Sequence, residues 1–187
     1  MKPLHRKFDS MRLATLVSLL VIAALAGCAI MSDPPRDGVT LAPKVDLPRF
    51  MGDWYVIASI PTYFERGAHN AVESYRLGSD GVVDIRFAYR ADGFDGAAKE
   101  MTSRGFVQTA SNAVWGVQFV WPMKADYRIS YVSDDYGLTV ITREKRDYVW
   151  IMARTPTISE AAYQRMVGFV AEQGYDMSKL QRVPQRP

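Results

Sequence analysis

Few residues in this 187-residue chain could do chemistry, and their spacing argues against most of it. There is one cysteine, Cys28, and of two histidines only His69 lies beyond the N-terminal leader. No His, Cys or carboxylate cluster shows metal-ligand spacing. Neither a G-x-S-x-G elbow nor a glycine-rich phosphate loop is present. A catalytic triad would need His69, an unassigned serine and an acid, and His69 sits in a polar loop, Thr62 to Asn70. No cofactor and no metal are therefore expected. Glu73 is the one charged residue that breaks an apolar phase, because it shares parity with Tyr75 and Leu77. Its carboxylate either points inward toward a ligand head group or stands at a rim in water, and the rim is the expectation.

Cys28 has a different use. Lys2, Arg6, Lys7 and Arg12 flank an apolar run, Leu13 to Ala26, that is shorter than the roughly 20 residues a membrane span needs. This is the pattern of a secretory signal. It ends in Leu25-Ala26-Gly27-Cys28, which resembles the bacterial lipobox and implies cleavage before Cys28 and acylation of that residue. Several acyl chains on one residue give stable anchoring where a single chain is marginal. Ala29 stands where an aspartate would retain such a lipoprotein at the inner membrane, so an outer-membrane anchor facing the periplasm is expected. Residues 1–27 are thus read as signal, 28–45 as a lipidated flexible tether containing Pro34-Pro35 and Pro43, and 46–187 as the folded domain. With Cys28 acylated, no thiol remains for a disulfide and the core alone must hold the domain. The chain's formal charge of +3 resides wholly in the leader, so the remainder is neutral and lacks the electrostatic footprint of a nucleic-acid binder.

Positioning falls to β-structure. Gly52-Asp53-Trp54-Tyr55 opens the first long apolar run, ending at Pro61, and Asp46–Met51 before it suits a short 3₁₀ turn. Period-two alternation continues through Tyr75–Leu77, Val83–Tyr89, Met101–Thr109, Trp115–Trp121, Tyr127–Tyr131, Leu138–Thr142 and Tyr148–Ala153. Turn residues such as Gly78-Ser-Asp-Gly81 and Ser133-Asp-Asp-Tyr-Gly137 separate the runs. About eight short strands without an internal helix describe an all-β barrel or sandwich. After Thr155-Pro156 a helix is expected, with Thr157 and Glu160 as a capping box and Ala162, Met166, Phe169 and Val170 on one stripe that packs outside the strands. A guanidinium from Arg154 over the Trp54 indole would give a cation–π contact of roughly 0.5–2 kcal/mol. The alternative is an ordinary core tryptophan and a surface arginine.

In a closed eight-stranded barrel one strand phase faces a lumen that can hold a small ligand. Ile85, Phe87, Val117, Phe119, Tyr127, Ile129 and Tyr131 would line it, with Tyr75 and Glu73 on the same phase and phenol groups near the mouth. The bulk of these side chains leaves a filled barrel open as the alternative.

The sequence resembles the lipocalin family, specifically its bacterial outer-membrane lipoprotein branch, which groups with apolipoprotein D. Gly52-Asp53-Trp54-Tyr55 fits the family's G-x-W motif, Phe64-Glu65-Arg66-Gly67 resembles the lid loop of the bacterial members, and Arg146–Ser159 is close to their last-strand signature. The resemblance implies an eight-stranded antiparallel up-and-down barrel with one C-terminal helix outside it. Trp54 and Arg154 become the packed pair at the closed end. Ser133-Asp134-Asp135-Tyr136 departs from the family's T-D-Y and leaves the geometry of that turn open. The implied role is non-catalytic binding and carriage of fatty acids or lysophospholipids at the outer membrane, for envelope maintenance. Two alternatives stay open: a surface-acting structural lipoprotein, with a homodimer among its forms, and an enzyme built near His69 and Glu73.

Overall fold

The computed structural model describes residues 38–186, so Cys28 and the signal lie outside the described residues. The alternating runs form eight antiparallel strands in sequence: β1 (Gly52–Ile60), β2 (Ala68–Leu77), β3 (Val83–Ala91), β4 (Ala98–Val107), β5 (Val114–Val120), β6 (Met123–Val132), β7 (Leu138–Thr142) and β8 (Val149–Ala153). Each pairs with the next, and β1 pairs with both β2 and β8, which closes the sheet into an up-and-down barrel. A two-residue strand β9 (Gln181–Arg182) adds to β1 on the outside. The connections after the odd strands form one end, the mouth. Those after the even strands form the other, which is closed.

The turn before β1 is α1 (Leu47–Phe50), a single α-type turn rather than the expected 3₁₀ turn. Its bonds run i to i−4, from Phe50 N–H to the Asp46 carbonyl (3.0 Å) and from Met51 N–H to Leu47 (3.1 Å). Asp46 caps it by accepting from Arg49 N–H at 3.2 Å. Gly52 then takes φ +91°, a left-handed conformation that a side chain would strain. A Cβ there would also meet Arg154 Nη1 at 3.4 Å. The folded part begins earlier than residue 46: Val39, Ala42 and Val45 are buried, and Val45 N–H bonds to the Ser111 carbonyl at 2.8 Å. Three apolar residues spaced by three carry no strand signal, so only packing reveals them.

The C-terminal helix α2 (Glu160–Glu172) is capped by Ser159, whose hydroxyl accepts from Ala162 N–H at 3.2 Å. The expected Thr157–Glu160 box does not form, since Glu160 is the first helical residue and instead pairs with Arg182. Ala162, Tyr163, Met166 and Val170 are buried on its inner stripe. They share a core with the outward faces of Ile57, Val140, Val149 and Ile151. This is the only way a lone amphipathic helix can cover its apolar face.

A second core fills the closed half of the barrel. Phe50 rises into it against Trp54 (ring centroids 5.2 Å), Tyr75 (5.4 Å) and Trp115 (5.7 Å). Trp115 stacks on Tyr127 at 5.4 Å. The indole N–H of Trp54 donates to the Phe50 carbonyl at 2.8 Å, and that of Trp115 to Asn112 at 2.7 Å, so neither is orphaned. Arg154 lies 3.8 Å above the Trp54 ring. Its Nη1 donates to the Asp53 carbonyl (2.8 Å) and its Nη2 to Arg49 (2.8 Å), Phe50 (3.1 Å) and Met51 (2.8 Å). The guanidinium thus collects the open carbonyls at the end of α1 and fixes that turn across the barrel floor. The Ser133–Gly137 turn, whatever its departure in sequence, joins the same assembly: the Tyr136 hydroxyl accepts from Asp46 N–H (2.8 Å) and Arg49 lies 4.1 Å over the Tyr136 ring.

Replacing Arg154 with Ala removes a cation–π contact and leaves several carbonyls without a partner. The expected loss is about 2–4 kcal/mol in urea unfolding, read as a lower midpoint at unchanged slope. Arg154→Lys should recover less than half, because one ammonium cannot reach the four carbonyls that the two guanidinium nitrogens share.

Candidate functional site

Strand register places the interior residues in rungs. Trp54 faces Glu73, Glu73 faces Phe87, and Phe87 faces Met101 across four neighbouring strands. Directly paired residues share a sheet face, and Trp54 and Phe87 are buried inside the barrel, so Glu73 points inward. The rim expected for it is corrected: the rung holds it among apolar side chains, and the accessibility it keeps is onto the cavity. The next rung carries Gly52, Tyr75, Ile85 and Ser103.

Above the aromatic base the barrel is hollow. A cavity of about 530 Å³ occupies the mouth half, within the roughly 300–1,000 Å³ usual for small-molecule sites. Of the residues expected in the lumen, Glu73, Ile85, Phe87, Val117, Phe119 and Tyr127 line it. Tyr75 lies beneath, its hydroxyl 2.5 Å from that of Tyr127, so these phenols meet at the floor and not near the mouth as expected. Ile129 is inside the barrel but fully buried in the base, below the cavity. Tyr131 is a correction. The register of β6 against β7 slips between Ile129 and Tyr131, and this bulge turns Tyr131 outward against Phe169 of α2 at 5.7 Å.

Sequence reasoning missed the polar part of the wall. Tyr63, Phe64 and Glu65 of the lid loop (residues 61–67), Trp150 of β8, and Arg143 and Tyr148 flanking the β7–β8 connection all reach the cavity. Glu65 Oε2 accepts from Thr62 N–H (3.0 Å) and from the Trp150 indole (3.1 Å), which ties the lid to β8. Phe64-Glu65-Arg66-Gly67 was legible as a lid, but its contact with Trp150 spans 85 positions and has no local signature. Arg143 Nη1 pairs with Asp147 Oδ2 at 3.0 Å, while its Nε is buried without a hydrogen-bond partner among the described residues. His69 packs edge-on to Phe94 at 5.0 Å and bonds the Gly67 carbonyl; it does not line the cavity.

Burial dominates the electrostatics. It pushes the Glu73 carboxyl from its ordinary 4.5 up to about 7; the Tyr75 hydrogen bond opposes this and the Glu65 charge adds to it. Burial also raises Glu65, against the bonds from Thr62 and Trp150. Tyr75 and Tyr127 are pushed well up by burial and by the Glu73 charge, so both hydroxyls stay protonated. The cavity is therefore an apolar chamber with a neutral or weakly acidic floor and an arginine at its upper wall.

A barrel with a filled base, a hollow upper half and a loop over the mouth defines the class of β-barrels that enclose one small apolar ligand. Comparison with known proteins gives the family. Residues 45–185 match the family model described as a lipocalin-like domain. The chain is 33% identical to the outer membrane lipoprotein Blc of Escherichia coli K12 over 172 residues, covering 91% of this chain and 96% of that protein. It is 29% identical to temperature-induced lipocalin-1 of Arabidopsis thaliana, covering 75% of this chain and 80% of that one, and 27% identical to bovine apolipoprotein D, covering 87% and 92%. Among solved structures, lobster apocrustacyanin A1 superposes with a TM-score of 0.59 at 11% identity, over 83% of this chain and 94% of that one. The chain belongs to the lipocalin family.

The Glu73 carboxyl makes stability depend on pH. Between about 4.5 and 7 the folded state holds a proton that the unfolded chain has released, so stability falls as pH rises through this window and is level above it. The fall is up to about 3 kcal/mol. Glu73→Gln is expected to remove it, leaving the variant about 1–3 kcal/mol more stable than the parent at pH 8, measured by urea unfolding across pH.

Proposed function

We propose that this chain is an outer-membrane-anchored lipocalin, held through acylated Cys28 and facing the periplasm, that binds and carries fatty acids or lysophospholipids for envelope maintenance without catalysis. The observation that carries the reading is the pairing of an apolar chamber of about 530 Å³ with the Arg143 side chain at its upper wall. A ligand carboxylate or phosphate would share the guanidinium with Asp147 in a charge-assisted hydrogen bond. The acyl chain would run down between Phe87, Val117 and Met101 toward the Tyr75–Tyr127 floor. Burying about 12 methylenes supplies roughly 10 kcal/mol. Association costs of about 4 kcal/mol or more leave about 6 kcal/mol or less from the tail, an affinity of tens of micromolar or weaker before any head-group contact. The name of the Escherichia coli relative, an outer membrane lipoprotein, supports the anchor and the compartment.

Mass spectrometry of lipid extracted from the purified protein is expected to find a fatty acid or lysophospholipid in stoichiometric amount. An empty protein that takes up no added lysophospholipid would overturn the carrier reading in favour of a lipoprotein acting through its surface. Arg143→Gln should weaken binding of an acidic single-chain lipid about 5–20-fold in fluorescent displacement, and leave an uncharged monoacylglycerol within twofold.

A further inference from the structure

Seven large apolar side chains are exposed among the described residues, and six of them surround the mouth. Tyr63 and Phe64 stand on the lid loop, 73% and 67% exposed. Phe119, Val120, Trp121 and Met123 form the tip of the β5–β6 hairpin, with Trp121 at 82%. Exposed apolar side chains gathered at one end of a domain mark an interaction surface. Its composition is amphipathic at the edges: Arg66 lies 5.4 Å over the Tyr63 ring, and Lys124 follows Met123. Aromatic rings and long cationic stems together suit the boundary between water and lipid acyl chains.

The described chain also begins at this end. A Cβ on Gly38 would lie 3.3 Å from Glu144 Oε1, in the β7–β8 connection of the mouth. From there the segment descends to the closed end, where Val45 meets Ser111 and Asp46 meets Tyr136. Cys28 precedes Gly38 by ten residues, which fully extended reach at most about 35 Å. An anchor at Cys28 is thus within reach of the mouth end, where the described chain starts.

We propose that the mouth of the barrel docks on the phospholipid bilayer that carries the anchor, with the Trp121–Met123 hairpin tip and the Tyr63–Phe64 lid inserted at its surface. This rests on the acylation of Cys28 read above. Tyr63, Phe64, Phe119 and Val120 belong to both the exposed patch and the cavity wall, so docking opens the chamber directly onto acyl chains. A lipid then enters or leaves without its tail crossing water. A second copy of the chain is the rival occupant, but covering the patch with it would close the mouth and would leave the position of the tether without consequence.

The test uses the full-length protein extracted from membranes and reconstituted in phosphatidylcholine vesicles containing a dibrominated analogue, which quenches tryptophan at the acyl boundary. Parent and variant both carry Trp150→Phe, because Trp150 lines the cavity and would report lipid bound inside it. Trp54 and Trp115 are fully buried, so quenching is expected in the parent and should be lost in Trp121→Ser. Equal quenching in parent and variant, or none in either, overturns docking. Trp121→Ser/Met123→Ser should also lower vesicle affinity of the Cys28→Ser chain at least tenfold while leaving lysophospholipid uptake intact, since neither side chain lines the cavity. Intact-mass analysis of the same parent sample reports the acyl groups, so a failed anchor is seen separately from failed docking. A dimer that dissociates on the double substitution, without quenching, overturns docking and assigns the patch to a second copy.

Discussion

The closed end of the barrel depends on one guanidinium. Arg154 covers the Trp54 indole on one side, and its nitrogens reach the carbonyls of residues 49, 50, 51 and 53. Those carbonyls belong to the end of α1 and the start of β1, where backbone acceptors have no helical partner. Without that donor set, the turn carrying Phe50 into the base would have to expose its carbonyls to water. Phe50, Trp54, Tyr75, Trp115 and Tyr127 then lose the lid that packs them, and with them goes the floor of the cavity. The structure therefore runs from one charge–ring contact to a packed base, and from the base to a hollow that stays open above it.

The division into a filled half and an empty half resolves two expectations that competed. Bulky side chains do plug the barrel, but only below the Tyr75–Tyr127 pair. Above it, smaller or splayed residues such as Val117, Ala125 and Ser103 leave room. Close packing is worth most where it is complete, and voids cost stability in proportion to their volume. Keeping the void in one half confines that cost to the half that faces the mouth. Glu73 is placed at the boundary, where an ionised carboxylate is disfavoured by burial and a protonated one is tolerated against an apolar tail.

The outer shell is built on a separate logic. α2 covers β1, β7 and β8 with a core of its own, and Tyr131 is recruited into it by a bulge. At the mouth, the β5–β6 hairpin tip and the lid present aromatic side chains to the surroundings. Among the described residues, six of the seven exposed large apolar side chains thus stand around the opening.

The eight strands, the closing helix and the Trp54–Arg154 pair were legible in the sequence by itself. Period-two alternation, turn residues and a family-like order of motifs are local or additive signals, and they survive being read one segment at a time. The inward set of Ile85, Phe87, Val117 and Tyr127 followed from parity for the same reason. Parity failed at Tyr131, because a single inserted residue reverses every side chain beyond it and leaves no mark in composition. It also could not say how deep a residue lies: Ile129, Tyr75 and Glu73 share an inward phase, yet their heights against Phe50 and the lid depend on strand stagger. The placement of Arg143, of the Glu65–Trp150 bond and of Gly38 at the mouth was decided only by tertiary structure, since each joins residues far apart in the chain whose meeting depends on closure of the whole barrel.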